Sequence, residues 1–157
     1  MTRVFRGRYQ SSFPRQPPGA WLKVYAIFKD RQREFDFLID TGSDVTMLSA
    51  EDSVDLLGRE AYQRLDDAFP DSRVSVTSVG MGDAVAVNLM LVFRVLGDLP
   101  IVFRLPVLIT PPPVMQPAGS PTLLPSLLGR DILNHFSVLL NPAADTVELT
   151  ELEMAPA

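Results

Sequence analysis

Two long stretches of this chain alternate apolar and other residues with a period of two. Val85, Val87, Leu89, Leu91, Phe93 and Val95 fall on one face of an extended segment, and Ile101, Phe103, Leu105, Val107 and Ile109 fall on one face of another. Leu96-Gly97-Asp98 between them is a turn signal. A period of two cannot sit on a helix, so this part of the chain folds as a hairpin with one buried face. Two more extended segments lie upstream. Trp21 to Phe28 is mostly apolar, Lys29-Asp30-Arg31-Gln32 reads as a turn, and Arg33 to Ile39 places Phe35, Phe37 and Ile39 on one face.

Helical spacing occurs once at length. Val54, Leu57, Ala61, Leu65 and Ala68 recur at helical intervals after a Ser49-x-x-Asp52 capping pattern, and Gly58 divides the segment in two. A short helix is expected at Asp131 to Phe136, followed by strands at Ser137 to Leu140 and Thr146 to Leu152. Val74 and Val76 alternate before a glycine-rich turn. Residues 111 to 125 hold six prolines and read as a rigid loop. The expected class is mainly β: a small, closed, barrel-like domain with one or two short helices. Residues 1–19, basic and ending in Pro17-Pro18-Gly19, read as a flexible arm, residues 20–153 as the domain and residues 154–157 as a tail.

With 157 residues and 46% hydrophobic composition, the chain can build one core. It has no apolar run of the roughly 18 residues that a membrane span needs. The basic start lacks the long apolar stretch of a secretory signal, so an intracellular, cytoplasmic setting is the default expectation. There are no cysteines, which excludes disulfides, thiolate metal sites and a cysteine nucleophile. A Ser-His-Asp triad would have to use the single histidine, His135, and no G-x-S-x-G elbow supplies its serine. The net charge of −5 argues against a nucleic-acid partner.

Chemistry concentrates in two short motifs. Asp40-Thr41-Gly42-Ser43 follows the apolar Phe37-Leu38-Ile39 and puts a carboxylate on a tight turn between two strand-like segments. It occurs once, so one chain supplies one such carboxylate. Leu127-Leu128-Gly129-Arg130-Asp131 opens the short helix near the end. Between them lies the glycine-flanked turn Val79-Gly80-Met81-Gly82. It lacks the third glycine and the following helix of a dinucleotide fingerprint. In this order and with these flanks, the chain resembles the retropepsin-like aspartic proteases, the single-domain, dimeric relatives of pepsin. The resemblance runs from about Trp21 to Leu152.

That resemblance implies a homodimeric endopeptidase in which each subunit contributes Asp40. Two carboxylates at contact distance share one proton, so one takes a proton from water while the other donates to the scissile carbonyl. No metal or other cofactor is implied, and the partners are a second copy of the chain and a peptide or protein substrate, with neither nucleic acid nor membrane. By resemblance, Thr41 bonds across the dimer axis and Gly42 lets the backbone approach the carboxylates. Val79, Gly80, Met81 and Gly82 form a flap over the cleft. Arg130 reaches Asp44 to brace the loop, Gly129 passes beneath it, and Asp131 caps the helix that follows. Ser43 has two readings: a hydroxyl donated to ionised Asp40, which would make the pH optimum acidic, or a local bond to the backbone. A different class of function, a non-catalytic dimerisation or peptide-binding module on the same fold, fits the same residues.

Overall fold

The computed structural model describes residues 2–11, 17–74, 84–110 and 124–153. The chain opens with β1 (Val4–Arg6), β2 (Arg8–Gln10), β3 (Gly19–Phe28), β4 (Arg31–Ile39) and β5 (Met47–Leu48). The helices α1 (Ala50–Leu57), α2 (Arg59–Gln63) and α3 (Leu65–Ala68) follow. Next come β6 (Arg73–Val74), β7 (Ala84–Phe93), β8 (Ile101–Ile109), β9 (Leu127–Leu128), α4 (Arg130–Leu133), β10 (Phe136–Asn141) and β11 (Thr146–Glu151). The class is mainly β.

Among the described residues, eight strands form a sheet in the order β2-β3-β4-β9-β5-β8-β7-β6. β3 also pairs with β7, Tyr25 opposite Val92 and Ile27 opposite Met90, so the sheet from β3 round to β7 closes on itself. Closure follows from the alternation in sequence. Leu22, Val24 and Ala26 of β3, Phe35, Phe37 and Ile39 of β4, and Val85, Val87, Leu89, Leu91 and Phe93 of β7 are all buried in one core. A closed sheet buries these inward faces and leaves its main strands no open edge.

Helix α1 starts at the Ser49 N-cap, whose hydroxyl accepts from the Asp52 amide at 3.1 Å. Gly58, at φ +88°, ends α1 and begins α2. Leu56, Leu57, Tyr62 and Leu65 are buried and turn the helical segment onto the barrel. At the other end, α4 is shorter than the sequence pattern indicates, because Phe136 already belongs to β10.

The second sheet has the order β1-β11-β10. It corrects the reading of a flexible arm at residues 4–10, within the segment 1–19. Val4–Arg6 pairs antiparallel with β11, Arg8–Gln10 pairs with β3, and Phe5 is buried. Phe5 meets Phe93 edge to face with ring centroids 5.6 Å apart and Phe136 at 5.8 Å. Arg3 binds Glu151 with both arms of its fork, at 2.7 and 2.5 Å, which holds the Glu151 carboxyl below the usual range. Burying one phenylalanine is worth about 1.5–3 kcal/mol, and with the pairing to β11 and the Arg3–Glu151 contact it offsets the entropy of ordering a three-residue strand that local propensity would not hold.

Candidate functional site

Strand β9 creates the site. It lies parallel to β4, with Leu38 opposite Leu127 and Ile39 opposite Leu128, and antiparallel to β5, with Met47 opposite Leu127. Two strands close in sequence are therefore held apart by a third from far downstream. The chain between them, 40–46, must arch over the end of β9. Asp40 stands where β4 stops: its amide donates to the Leu128 carbonyl at 3.1 Å. Its half-buried carboxylate accepts from the Gly42 amide at 2.9 Å, and the Ser43 amide returns to the Asp40 carbonyl at 3.2 Å. Thr41 and Gly42 are exposed at the tip.

The arch is supported from beneath by the second motif. A helix start leaves backbone amides without intrahelical partners. Those of α4 find theirs in the arch: Arg130 N–H donates to the Ser43 carbonyl at 2.9 Å and Asp131 N–H to the Asp44 carbonyl at 3.2 Å. Gly129 lies so close that an added Cβ would sit inside van der Waals contact of the Val45 carbonyl and 2.9 Å from its nitrogen. The Arg130 guanidinium pairs with the Asp44 carboxylate. Both side chains are largely exposed, 51% and 78%, so this pair orients the loop more than it stabilises the fold.

Asp131 has a different role from the expected cap. It lies inside the first turn of α4, with Gly129 at the cap position. Its carboxylate accepts from the Thr46 hydroxyl at 2.6 Å, the Thr46 amide at 2.9 Å and the Ile132 amide at 2.9 Å. The Thr46 hydroxyl in turn accepts from the Gly129 amide at 3.1 Å. Thr46 is fully buried, and sequence reasoning passed over it. A threonine between two loops carries no periodic signal; only its partners, 83 and 85 positions away, reveal it.

Ser43 resolves toward its local alternative. The hydroxyl donates to the Val45 carbonyl at 2.8 Å rather than to Asp40. A carbonyl two residues on is reached without strain, and the bond helps shape the arch.

A further network lies behind β9. Ser126 accepts from the Ser49 amide at 2.9 Å and donates to the Asp52 carboxylate at 2.6 Å. Its carbonyl accepts from the Leu38 amide at 2.9 Å. Burial raises the Asp52 carboxyl above its ordinary value, against the lowering effect of the bonds from Ser126 and Ser49. Tyr62 of α2 donates to the Thr110 carbonyl at 2.8 Å, and burial pushes its phenol up to about 12. The helical segment thus holds Thr110 and Ser126, on either side of residues 111–123. The flap residues Val79, Gly80, Met81 and Gly82 lie outside the described residues, as does most of the proline-rich stretch.

His135 stands apart from the arch, its ring 5.0 Å from that of Phe103. Together with Ile101, Phe136 and Leu152 the two line a cleft of about 380 Å³, to which no residue of the Asp40 loop contributes. Among the described residues, no cluster of three or more histidine, aspartate or glutamate side chains is placed to hold a metal, and no helix is long and apolar enough to cross a membrane. Comparison of the chain with protein-family models, with curated proteins and with solved structures finds no match.

Proposed function

We propose that the chain is an aspartic endopeptidase of the retropepsin type, active as a homodimer with one Asp40 from each subunit. The observation that carries this reading is the support of Asp40 itself. A half-buried carboxylate ends a core strand on an arch whose carbonyls receive the first amides of a helix and whose floor is a glycine in backbone contact. Much of this architecture serves to fix one acid at an exposed tip. A single carboxylate cannot act as base and acid at once, so the chemistry requires a second across a two-fold axis. In the proposed dimer the pair shares one proton. The ionised member takes a proton from the attacking water, and the protonated one donates to the carbonyl oxygen. The water's oxygen forms the new bond to carbon; the C–N bond then breaks as the amine takes the proton that the first carboxylate received from water, and a hydroxyl of the diol returns its proton to the other carboxylate.

The sheet β1-β11-β10 supports the two-fold association. Among the described residues β10 lies at one edge of it and β1 at the other, and Leu139 and Leu140 on β10 are 52% and 40% exposed. A strand edge with exposed leucines is a template for a second copy. The extended cleft between subunits would bind peptide in strand-like fashion, with apolar residues flanking the cut.

The test is digestion of a diverse peptide mixture from acidic to neutral pH by wild type and Asp40→Asn, with sedimentation run on the same samples. Cuts that vanish in the variant while the dimer persists support the peptidase. No cuts at any pH, from protein shown to be dimeric, would move the reading to a peptide-binding or assembly module.

A further inference from the structure

The bonds that carry Asp40 continue past β9 into the helical segment, and they do so through one buried hydroxyl. Ser126 is 1% exposed and Ser49 7%. The Ser49 amide can only donate, so it uses the Ser126 oxygen as acceptor, and the single Ser126 proton is left for Asp52. The Asp52 amide closes the ring on the Ser49 hydroxyl at 3.1 Å. The capping pattern readable at Ser49 and Asp52 is thus completed by a residue 74 positions beyond Asp52. Ser126 has a second function, because its carbonyl receives the Leu38 amide, two residues before Asp40. Leu128, two residues after Ser126, receives the Asp40 amide itself.

We propose that Ser126 and Asp52 are positioning residues for the Asp40 loop: their contact locks β9 to the N-terminus of α1, and β9 sets the height and direction at which β4 delivers the carboxylate. The kinetic part of this proposal rests on the peptidase reading; the structural part does not. Without the Ser126 hydroxyl, the Ser49 amide loses its acceptor and Asp52 its donor, at a site where water has little access. β9 is paired by only two residues on the β4 side and one on the β5 side; the Thr46 bonds to Gly129 and Asp131 fix its C-terminal end, and the Ser126 contact fixes its N-terminal end. Small displacements of a reacting group cost rate steeply, about a hundredfold for 1 Å.

The test combines two measurements on Ser126→Ala, Asp52→Ala and Asp52→Asn. Amide hydrogen exchange is followed at Leu38 and Asp40, with Val147 and Leu149 of β11 as internal controls. Steady-state cleavage is followed on one peptide that the wild type cuts. The alanine variants should exchange faster at Leu38 and Asp40 but not at the controls. They should lose about tenfold or more in kcat with KM little changed. Asp52→Asn keeps an acceptor for the Ser126 hydroxyl and should recover part of both. The double alanine variant should lose little more than either single one, since both remove the same contact. Faster exchange at all four amides alike, unchanged exchange at Leu38 and Asp40, or additive losses would overturn the proposal. Selective exchange at Leu38 and Asp40 in a protein whose wild type cuts nothing would sustain the brace and count against the peptidase reading.

Discussion

Replacing Gly129 by alanine tests whether the arch and the second motif are in backbone contact. Gly129 has φ −92° and ψ −179°, an extended conformation that any residue adopts, so the substitution brings no conformational strain. The cost is steric. The nearest atoms to the new methyl are the Val45 carbonyl carbon, its oxygen and its nitrogen, all backbone. Ordinary carbon contacts need about 3.5–4.0 Å. The arch would have to lift off β9, and the amides of Arg130 and Asp131 would lose their carbonyl partners. Overpacking costs about 1–3 kcal/mol, and a rigid backbone on the receiving side puts this site near the top of that range. Loss of glycine entropy from the unfolded chain returns roughly 0.4–1 kcal/mol. The net loss is about 2 kcal/mol, which for a chain of this length lowers Tm by about 4–8 °C.

Gly97 is the control. It has φ +89° and nothing within 4 Å of an added Cβ, so its alanine variant pays in conformation alone, about 1–2 kcal/mol before the same entropic return. Asparagine tolerates that conformation and should rescue position 97, whereas it should harm position 129 more than alanine does. The assay is urea and thermal unfolding of the four variants at one protein concentration, since association would shift the midpoints. A Gly129→Ala protein as stable as wild type, or asparagine rescuing position 129, would refute the close approach.

Three further outcomes follow from the same geometry. Thr46→Val removes the acceptor of a buried amide and one donor to Asp131, and should cost about 1–3 kcal/mol in urea unfolding, against a near-neutral Thr46→Ser. On the peptidase reading, Ser43→Ala should leave the pH dependence of cleavage unchanged, because the hydroxyl is spent on Val45; a profile moved toward neutral pH would restore the bond to Asp40. Burial raises the Asp52 carboxyl in the folded state, so its contribution to stability is full below its unfolded value and is lost as pH rises through the folded one. Asp52→Asn should therefore gain on wild type in unfolding free energy as pH rises above the ordinary aspartate value of about 4, and a difference that stays flat with pH would count against the raised carboxyl.

The barrel strands were legible because each carries its own signal. Phe35, Phe37 and Ile39 alternate within five residues, and Val85 to Phe93 does so over nine. The helix start at Ser49 and its break at Gly58 are also local. β1 was not legible, since Val4-Phe5-Arg6 is too short for a period and becomes a strand only against Glu148, Leu149 and Thr150. The site divides in the same way. Asp40, Gly129 and Arg130 stand in compact motifs and the structure brings them together. Thr46, Ser126 and the changed role of Asp131 depend on single hydrogen bonds between distant segments, which composition and spacing do not encode.

The placement of β9 between β4 and β5 also has a consequence for the order in which the molecule is made. Asp44 and Arg130 are 86 positions apart, and among the described residues the support beneath the arch comes from β9 and α4. Asp40 is synthesised well before the floor of its loop. Joining the two is a long-range contact, and closing so large a loop costs entropy before any contact repays it. Partly made or truncated chains would hold Asp40 on an unsupported loop, so the fixed geometry of that loop marks a chain in which β9 and α4 have folded into place.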